Sequence, residues 1–254
     1  MTSLHFDSAT LAQQLGVAFS DHQQITLPEA LIPKTRSAAY AAQEALVVQL
    51  GGNVQAWKVG TAMTAGDVQG SPIPALCVHE SPAEATLDHY PVCGLELEVA
   101  FQFSQSFPPR SALYTETEVL SALSMMAASI EVVASRLQGW PDQEALLKLA
   151  DLQNHGLLIL GQAVPYHANF PYLQPALSFI FNGQSIAIHP AANPAGDPRR
   201  LLTPFINQCT QRGLPVQARQ WISTGSYSGI YFAEQAGTAI GAIEGLPEVV
   251  LRLV

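Results

Sequence analysis

The stretch GLELEVAF, residues 94 to 101, sets two glutamates two positions apart inside an apolar run. In an extended strand, residues two apart point to the same face. Glu96 and Glu98 would therefore stand side by side, with Leu95, Leu97, Val99 and Phe101 facing the other way. One reading is a half-buried strand with a wet polar face. The other is a pair of carboxylates gripping a cation. Glu131 adds a third acid, between SMMAASI and VVA. A carboxylate in such apolar surroundings is costly unless it is paired. An exposed edge, a pairing with Arg136 or a shared metal ion would each satisfy it. Three carboxylates are hard oxygen ligands that suit Mg²⁺ or Mn²⁺ and leave positions open for water or substrate.

Three other positions could join that chemistry. Lys58, in QAWKVG, lies in an expected strand beside Trp57 and Val59. It is either a surface lysine passing an aromatic ring or a cation near the metal, holding a substrate carboxylate or moving a proton. His155, in LQNHGLL, falls in an expected loop before a strand. It is either an acid-base group or an ordinary loop residue. Ser226, in STGSYSG, has strand-turn context and so is no nucleophile elbow. Its roles are a contact to a substrate oxygen or a plain turn. The remaining histidines, His5, His22, His79, His89, His167 and His189, show no ligand spacing.

The elements that must position these groups follow from the pattern. The first 50 residues read as helical, and SAAYAAQEALVVQLGG is an alanine-rich helix stopped by Gly51 and Gly52. NVQAWKVG reads as a strand and TAMTAGDVQGSPIPALC as a loop. TETEVLSALSMMAAS predicts a helix, with Thr115 and Glu118 as a capping box and Val119, Leu123 and Met126 at helical spacing. IEVVASRL follows as a strand. DQEALLKLADLQ predicts a short helix capped by Asp142. HGLLILGQAV and ALSFIFNGQSIAI predict strands, the second turning at Asn182-Gly183. DPRRLLTPFINQCTQRG predicts a helix capped by Asp197 and ended by Gly213, with Pro204 disturbing it. QWISTGSYSGIYF and LPEVVLRLV close the chain as strands. Helices come first and strands dominate later without strict alternation, so the expected class is α+β with a mixed, mostly antiparallel sheet. Residues 1–60 are expected to form a helical part packed on a β-rich catalytic domain over 61–254, as one continuous unit.

Composition narrows the partners. The chain has 254 residues, 48% of them hydrophobic and 12% charged, with a formal charge of −9. That is a compact globular composition. No basic stripe is present, so nucleic acid is not an expected partner. Low charge also fits a surface partly covered in a homo-oligomer. Cys77, Cys93 and Cys209 are scattered and form no metal-type pair. They read as reduced thiols of a cytoplasmic protein. The start lacks the pattern of a secretion signal, and no apolar run reaches membrane-spanning length. No Gly-rich phosphate loop stands in strand-loop-helix context.

At these residues the chain resembles the 2-keto-4-pentenoate hydratase and 4-oxalocrotonate decarboxylase branch of the fumarylacetoacetate hydrolase superfamily. AAYAAQEA is similar to the branch's N-terminal helix, WKVG to its lysine strand, LELEVAF to its Glu-x-Glu strand and SIEVVASR to the strand bearing its third glutamate. FNG, the helix to Gly213, STGSYSG and LPEVVLRLV continue in the same order over nearly the whole chain. The resemblance implies a β-roll of that superfamily's type, with Mg²⁺ or Mn²⁺ held by Glu96, Glu98 and Glu131. It also implies Lys58 in the pocket; Gly225, Ser226 and Asn154 are the candidates to contact the substrate. The expected substrate is a small 2-oxo or 2-hydroxydienoic acid. The expected reaction is hydration of a 2-hydroxy-2,4-dienoate to a 4-hydroxy-2-oxo acid. The alternatives are a 4-oxalocrotonate-type decarboxylase or a degenerate, non-catalytic relative. STGSYSG stands where the hydrolases carry Gly-Thr-Pro, which favours the hydratase side. Departures from the branch cluster around the substrate. Ile73 stands where an acid is usual, Ala134 where Asp is usual, and Leu152, Gln153, Asn154 and His155 replace an Ala/Asn/Ser-rich loop. His155 is a candidate to supply the proton transfer of the missing acid.

Overall fold

A computed structural model describes residues 6–61 and 68–254. His5 and residues 62–67 of the expected loop lie outside the described residues. Two helices open the chain, α1 (Ser8–Ser20) and α2 (Arg36–Gln49). Asp7 caps the first by accepting from Ala9 N and Thr10 N, and Thr35 caps the second by accepting from Ala38 N. Strands β1 (Val54–Thr61), β2 (Val68–Pro74), β3 (Val78–Glu80), β4 (Ala83–Ala85) and β5 (Gly94–Phe103) follow. Then come α3 (Glu116–Ser121), β6 (Leu123–Val133), α4 (Ala145–Ala150), β7 (His155–Leu160) and β8 (Val164–Pro165). The hairpin β9 (Leu177–Phe181) and β10 (Gln184–Ser185) precedes α5 (Leu202–Gln211). β11 (Trp221–Ser226), β12 (Tyr231–Phe232), β13 (Gly237–Ile243) and β14 (Val249–Leu253) complete the chain.

The strands form two sheets. The larger runs β2-β1-β11-β5-β6-β7-β3, with β12 added to β5 and β8 to β6. The smaller runs β10-β9-β13-β14-β4. β1 with β11, β3 with β7 and β14 with β4 are parallel, and the other pairs are antiparallel. The class is α+β with mixed, mostly antiparallel sheets, as the sequence predicts. Leu95, Leu97, Val99 and Phe101 of β5 and Met126, Ala128, Ile130 and Val132 of β6 share a core with Phe179, Ala239, Ile243, Val249 and Leu251 of the smaller sheet. Each fully buried aliphatic side chain there contributes about 1.5–3 kcal/mol. The helices α1 and α2 bury Leu11, Leu15, Ala39 and Leu46 against Leu147, Leu149 and Leu152, so α4 belongs to the same helical layer.

Four expectations change. The helix expected through Ser129 stops at Ser121, and β6 begins at Leu123. The capping box of Thr115 and Glu118 forms, but it starts only six helical residues. From Leu123 onward the chain pairs with β5 over the register Phe103↔Leu123 to Gly94↔Val133. The even positions from Met126 to Val132 then meet the core, and this pairing overrides the helical preference of Met and Ala. Residues 68–74, expected as loop, form β2 against β1. β2 lies at the sheet's edge, where Pro72 and Pro74 cost little. α4 is preceded by Glu144, not capped by Asp142, with no side-chain cap bond. The long helix expected from Pro198 splits into a 3-10 turn, Pro198–Leu201, and α5. Pro204 therefore falls in the first turn of α5, where its missing N–H is tolerated. Asp197 does cap the 3-10 turn through Arg199 N. Asn182 and Gly183 make the expected hairpin turn, at φ 49° and 80°. The three cysteines are free and buried, and burial pushes each thiol up to about 12. Among the described residues, no helix is long and apolar enough to cross a membrane.

Candidate metal centre

The face of β5 that turns away from the main core carries Glu96 and Glu98. In the antiparallel register Glu96 sits opposite Glu131 of β6, and Glu98 opposite Ser129. One carboxylate oxygen from each of Glu96, Glu98 and Glu131 lies within 4.8 Å of the other two. Glu98 and Glu131 are fully buried, and Glu96 is half-buried. Lys58 reaches the cluster from β1. It is paired with Ser223 of β11, which in turn pairs with Ala100 of β5. Its Nζ donates to Glu131 Oε1 at 2.7 Å, and its side chain is 17% exposed, so it is no surface lysine. The same face continues as Ala56, Ala100, Ala127, Leu158, Leu160 and Trp221, a small apolar floor.

Three carboxylates and one ammonium leave a formal charge of −2 in nearly dry surroundings. The cost shows in the acidities. Burial, partly offset by Lys58 and reinforced by Glu131, pushes Glu96 up to about 7. Burial together with Glu131 and Glu96 pushes Glu98 up to about 8. Glu131 is the reverse. Burial raises it, but Lys58 and His155 outweigh that and hold it below the ordinary carboxylate range. Burial also works against the Lys58 charge, but the glutamates prevail and keep it an ammonium. Glu98 Oε1 and Glu131 Oε2 are buried with no hydrogen-bond partner. Such orphaned anionic oxygens are expensive. A divalent cation would cancel the −2 and satisfy both, so the donor set fits Mg²⁺ or Mn²⁺.

His155 begins β7 instead of lying in a loop, and it is fully buried. Its Nδ1 lies 3.0 Å from Glu131 Oε1. Glu131 is an ionised acceptor, so Nδ1 carries the proton and donates, and Nε2 is left without a partner. Burial keeps the imidazole neutral, outweighing the pull of Glu131. Leu152, Gln153 and Asn154 deliver it through three successive left-handed residues, at φ 50°, 53° and 57°. That conformation costs about 1–2 kcal/mol per non-glycine residue. Arg136 holds it. Its backbone N and Nε donate to the Asp151 carboxylate, its Nη2 to Asp151 O and its Nη1 to His155 O. Arg136 therefore serves this turn and does not pair with Glu131.

The other expected site residues are near but differently engaged. Gly225 N donates to Glu98 Oε2 at 3.0 Å, and φ 91° explains why glycine stands there. Ser226 spends its hydroxyl inside the turn, donating to Gly229 O at 2.7 Å. Asn154 Oδ1 is buried without a partner. Ile73 is fully buried in the apolar floor, and Ala134 lies against the backbone at Gly156. Two site residues escaped the sequence reading. Ser223 donates to Glu98 Oε2. Ser129 places a buried, unpartnered hydroxyl on the glutamate face. Both lie on the charged face by strand alternation, Ser129 two before Glu131. The Asp151–Arg136 brace had no signal in the sequence, because its partners meet only through a turn no propensity favours.

No family model matches the chain. A 2-keto-4-pentenoate hydratase from Burkholderia vietnamiensis (strain G4) is 24% identical over 155 residues, 61% of this chain and 58% of that protein. The match thus spans less than two thirds of the relative. The solved 4-oxalocrotonate decarboxylase from Pseudomonas putida G7, complexed with magnesium and adipate, has a TM-score of 0.86 over 97% of each chain at 16% identity. Fumarylpyruvate hydrolase from Pseudomonas aeruginosa, in complex with Mn²⁺ and pyruvate, has a TM-score of 0.54 over 80% of this chain and 90% of that one, at 15% identity. The chain shares its fold with these two solved structures. Sequence and fold both resemble the 2-keto-4-pentenoate hydratase and 4-oxalocrotonate decarboxylase branch of the fumarylacetoacetate hydrolase superfamily.

Proposed function

We propose that the chain is a divalent-metal-dependent hydro-lyase. It adds water to a small 2-hydroxy-2,4-dienoate of the 2-oxopent-4-enoate type and yields a 4-hydroxy-2-oxo acid. The observation that carries this reading is the convergence of Glu96, Glu98 and Glu131, with an unpartnered carboxyl oxygen on each buried member. We assign these three as the ligands of Mg²⁺ or Mn²⁺. Bound there, the cation supplies positive charge to a 2-oxo acid's carboxylate and 2-oxygen, where negative charge gathers during the reaction. Lys58 stays protonated beside the cluster, at the half-open side with Glu96. It offers a charge to the substrate carboxylate and a proton to a developing oxyanion. In the hydration the dienol gives up its 2-hydroxyl proton and gains one at its far carbon, giving a conjugated 2-oxo-3-enoate. The oxygen of water then bonds to C4 and a proton to C3. Gly225 and Ser226, on β11, and Asn154, beside His155, remain the candidates to border the substrate.

Decarboxylation of a 4-oxalocrotonate-type acid is the second reading. The whole-length fold match to the decarboxylase supports it, and the same charge placement would serve it. We place the protein in the cytoplasm as a homo-oligomer under either reading. The deciding measurement is turnover by chelator-treated protein, with and without added Mg²⁺ or Mn²⁺. The expected result is metal-dependent loss of 2-hydroxypenta-2,4-dienoate absorbance with a 4-hydroxy-2-oxo acid as product. Metal-dependent CO₂ release from 4-oxalocrotonate without hydration would make it the decarboxylase. No turnover of either compound with metal bound would leave a non-catalytic relative.

A further inference from the structure

The two fully buried glutamates share a feature that their spacing does not require. In each, one carboxylate oxygen is filled by protein donors and the other is bare. Glu98 Oε2 accepts from Ser223 Oγ and from Gly225 N at 3.0 Å, while Oε1 has no partner. Glu131 Oε1 accepts from Lys58 Nζ at 2.7 Å and from His155 Nδ1 at 3.0 Å, while Oε2 has none. A carboxylate that grips a cation with both oxygens must release such donors. These two are presented one oxygen at a time.

The two donors on Glu131 are not equivalent. Lys58 sits on a flexible four-carbon stem and keeps some exposure to the open side. His155 has neither. Its ring is fully buried, its carbonyl is held by Arg136, and the left-handed turn before it is tied through Asp151. We propose that His155 is a positioning residue that keeps Glu131 Oε1 occupied, so that Glu131 offers a cation only Oε2, and that this biases the site toward Mg²⁺ and Mn²⁺ over Ca²⁺. Mg²⁺ demands near-ideal octahedral geometry, which single-oxygen carboxylates allow. Ca²⁺ takes six to eight oxygens and gains from carboxylates that bind through both. The inference rests on the divalent-metal reading of this same site.

Calorimetric titration of chelator-treated protein with Mg²⁺, Mn²⁺ and Ca²⁺ tests it without reference to turnover. His155→Phe keeps a ring but removes the donor, and His155→Asn returns an N–H close to the Nδ1 position. Wild type is expected to prefer Mg²⁺ and Mn²⁺ to Ca²⁺. His155→Phe should lose about tenfold of that preference, the usual scale for removing a hydrogen bond behind a metal ligand. His155→Asn should recover most of it, a rescue that a merely space-filling role would not give. If circular dichroism shows His155→Phe unfolded, His155→Ala, smaller than the imidazole, carries the same comparison. A wild-type ratio of affinities in the donor-less variant overturns the positioning role and leaves the metal site standing. Failure of wild type to bind any of the three ions overturns both.

Discussion

At the scale of single residues, burial sets the chemistry of the cluster. Glu98 is the acid most strained by it, pushed up to about 8 by burial and two neighbouring carboxylates. Glutamine keeps its shape and removes the charge. Glu98→Gln is therefore expected to lower affinity for Mg²⁺ or Mn²⁺ by at least tenfold in calorimetry. The same change should raise the melting temperature of the metal-free protein above pH 8, where an uncompensated buried anion is lost. Unchanged metal affinity would remove Glu98 from the ligand set. Lys58 carries the opposite charge, within 2.7 Å of Glu131. Lys58→Met keeps the stem and loses the ammonium. Steady-state kinetics should show kcat/KM for a 2-hydroxydienoate reduced by about 10²–10³-fold, since both an ion pair to substrate and a proton donor go. Wild-type kinetics in that variant would reduce Lys58 to a counter-charge for Glu131.

At the scale of elements, the site depends on a turn that sequence propensity disfavours. Leu152, Gln153 and Asn154 adopt left-handed backbone in succession, and the Arg136–Asp151 pair closes over them. Both partners are almost wholly buried. Asp151→Ala leaves a buried guanidinium without its carboxylate, which costs about 3–5 kcal/mol. Urea unfolding should show that loss. Because the turn carries His155, metal affinity should fall in parallel in whatever fraction stays folded. A variant of full stability would mean the brace contributes little. Gly156 follows His155, and a Cβ built there would stand 2.8 Å from Ala134 Cβ and 2.9 Å from Val132 O. The small residues at 134 and 156 thus let β7 approach β6 closely enough for the imidazole to meet Glu131. This gives a structural reason for Ala134, one of the departures in the sequence.

At the scale of the whole molecule, the acid cluster links stability to pH and to metal. Glu96 and Glu98 have folded-state values of about 7 and about 8, above the ordinary 4.5. Groups raised in this way favour the folded state at pH below their ordinary value, and that contribution is lost as pH rises through 7 to 8. The metal-free protein should therefore melt at progressively lower temperature between about pH 5 and 8.5. Bound cation removes the penalty. At a hundredfold excess over Kd it adds about 2.7 kcal/mol, or roughly 5–10 °C for a chain of this size. Scanning calorimetry across pH, with chelator and with Mg²⁺, should show the two curves diverging as pH rises. Parallel curves would place the metal elsewhere.

The sequence by itself determined the parts of this protein that depend on local geometry. Alternation in GLELEVAF fixed which side of β5 would carry Glu96 and Glu98, because the strand period of two admits no other arrangement once Leu95, Leu97 and Val99 are buried. Thr115 with Glu118, Asn182-Gly183 and Asp197 marked their turns and caps by chemistry confined to a few residues. The α+β class followed from the order of such segments. Only the tertiary structure decided that residues 123–129 are strand, since their partners in β5 lie twenty or more residues earlier and the reward for pairing exceeds a modest helical preference. It also decided that Glu131 faces Lys58 and His155 and not Arg136, and that Ser223 and Gly225 hold Glu98. Those contacts join strands that are distant in sequence. Their energy comes from buried hydrogen bonds and one buried ion pair, quantities that exist only once the sheet has formed.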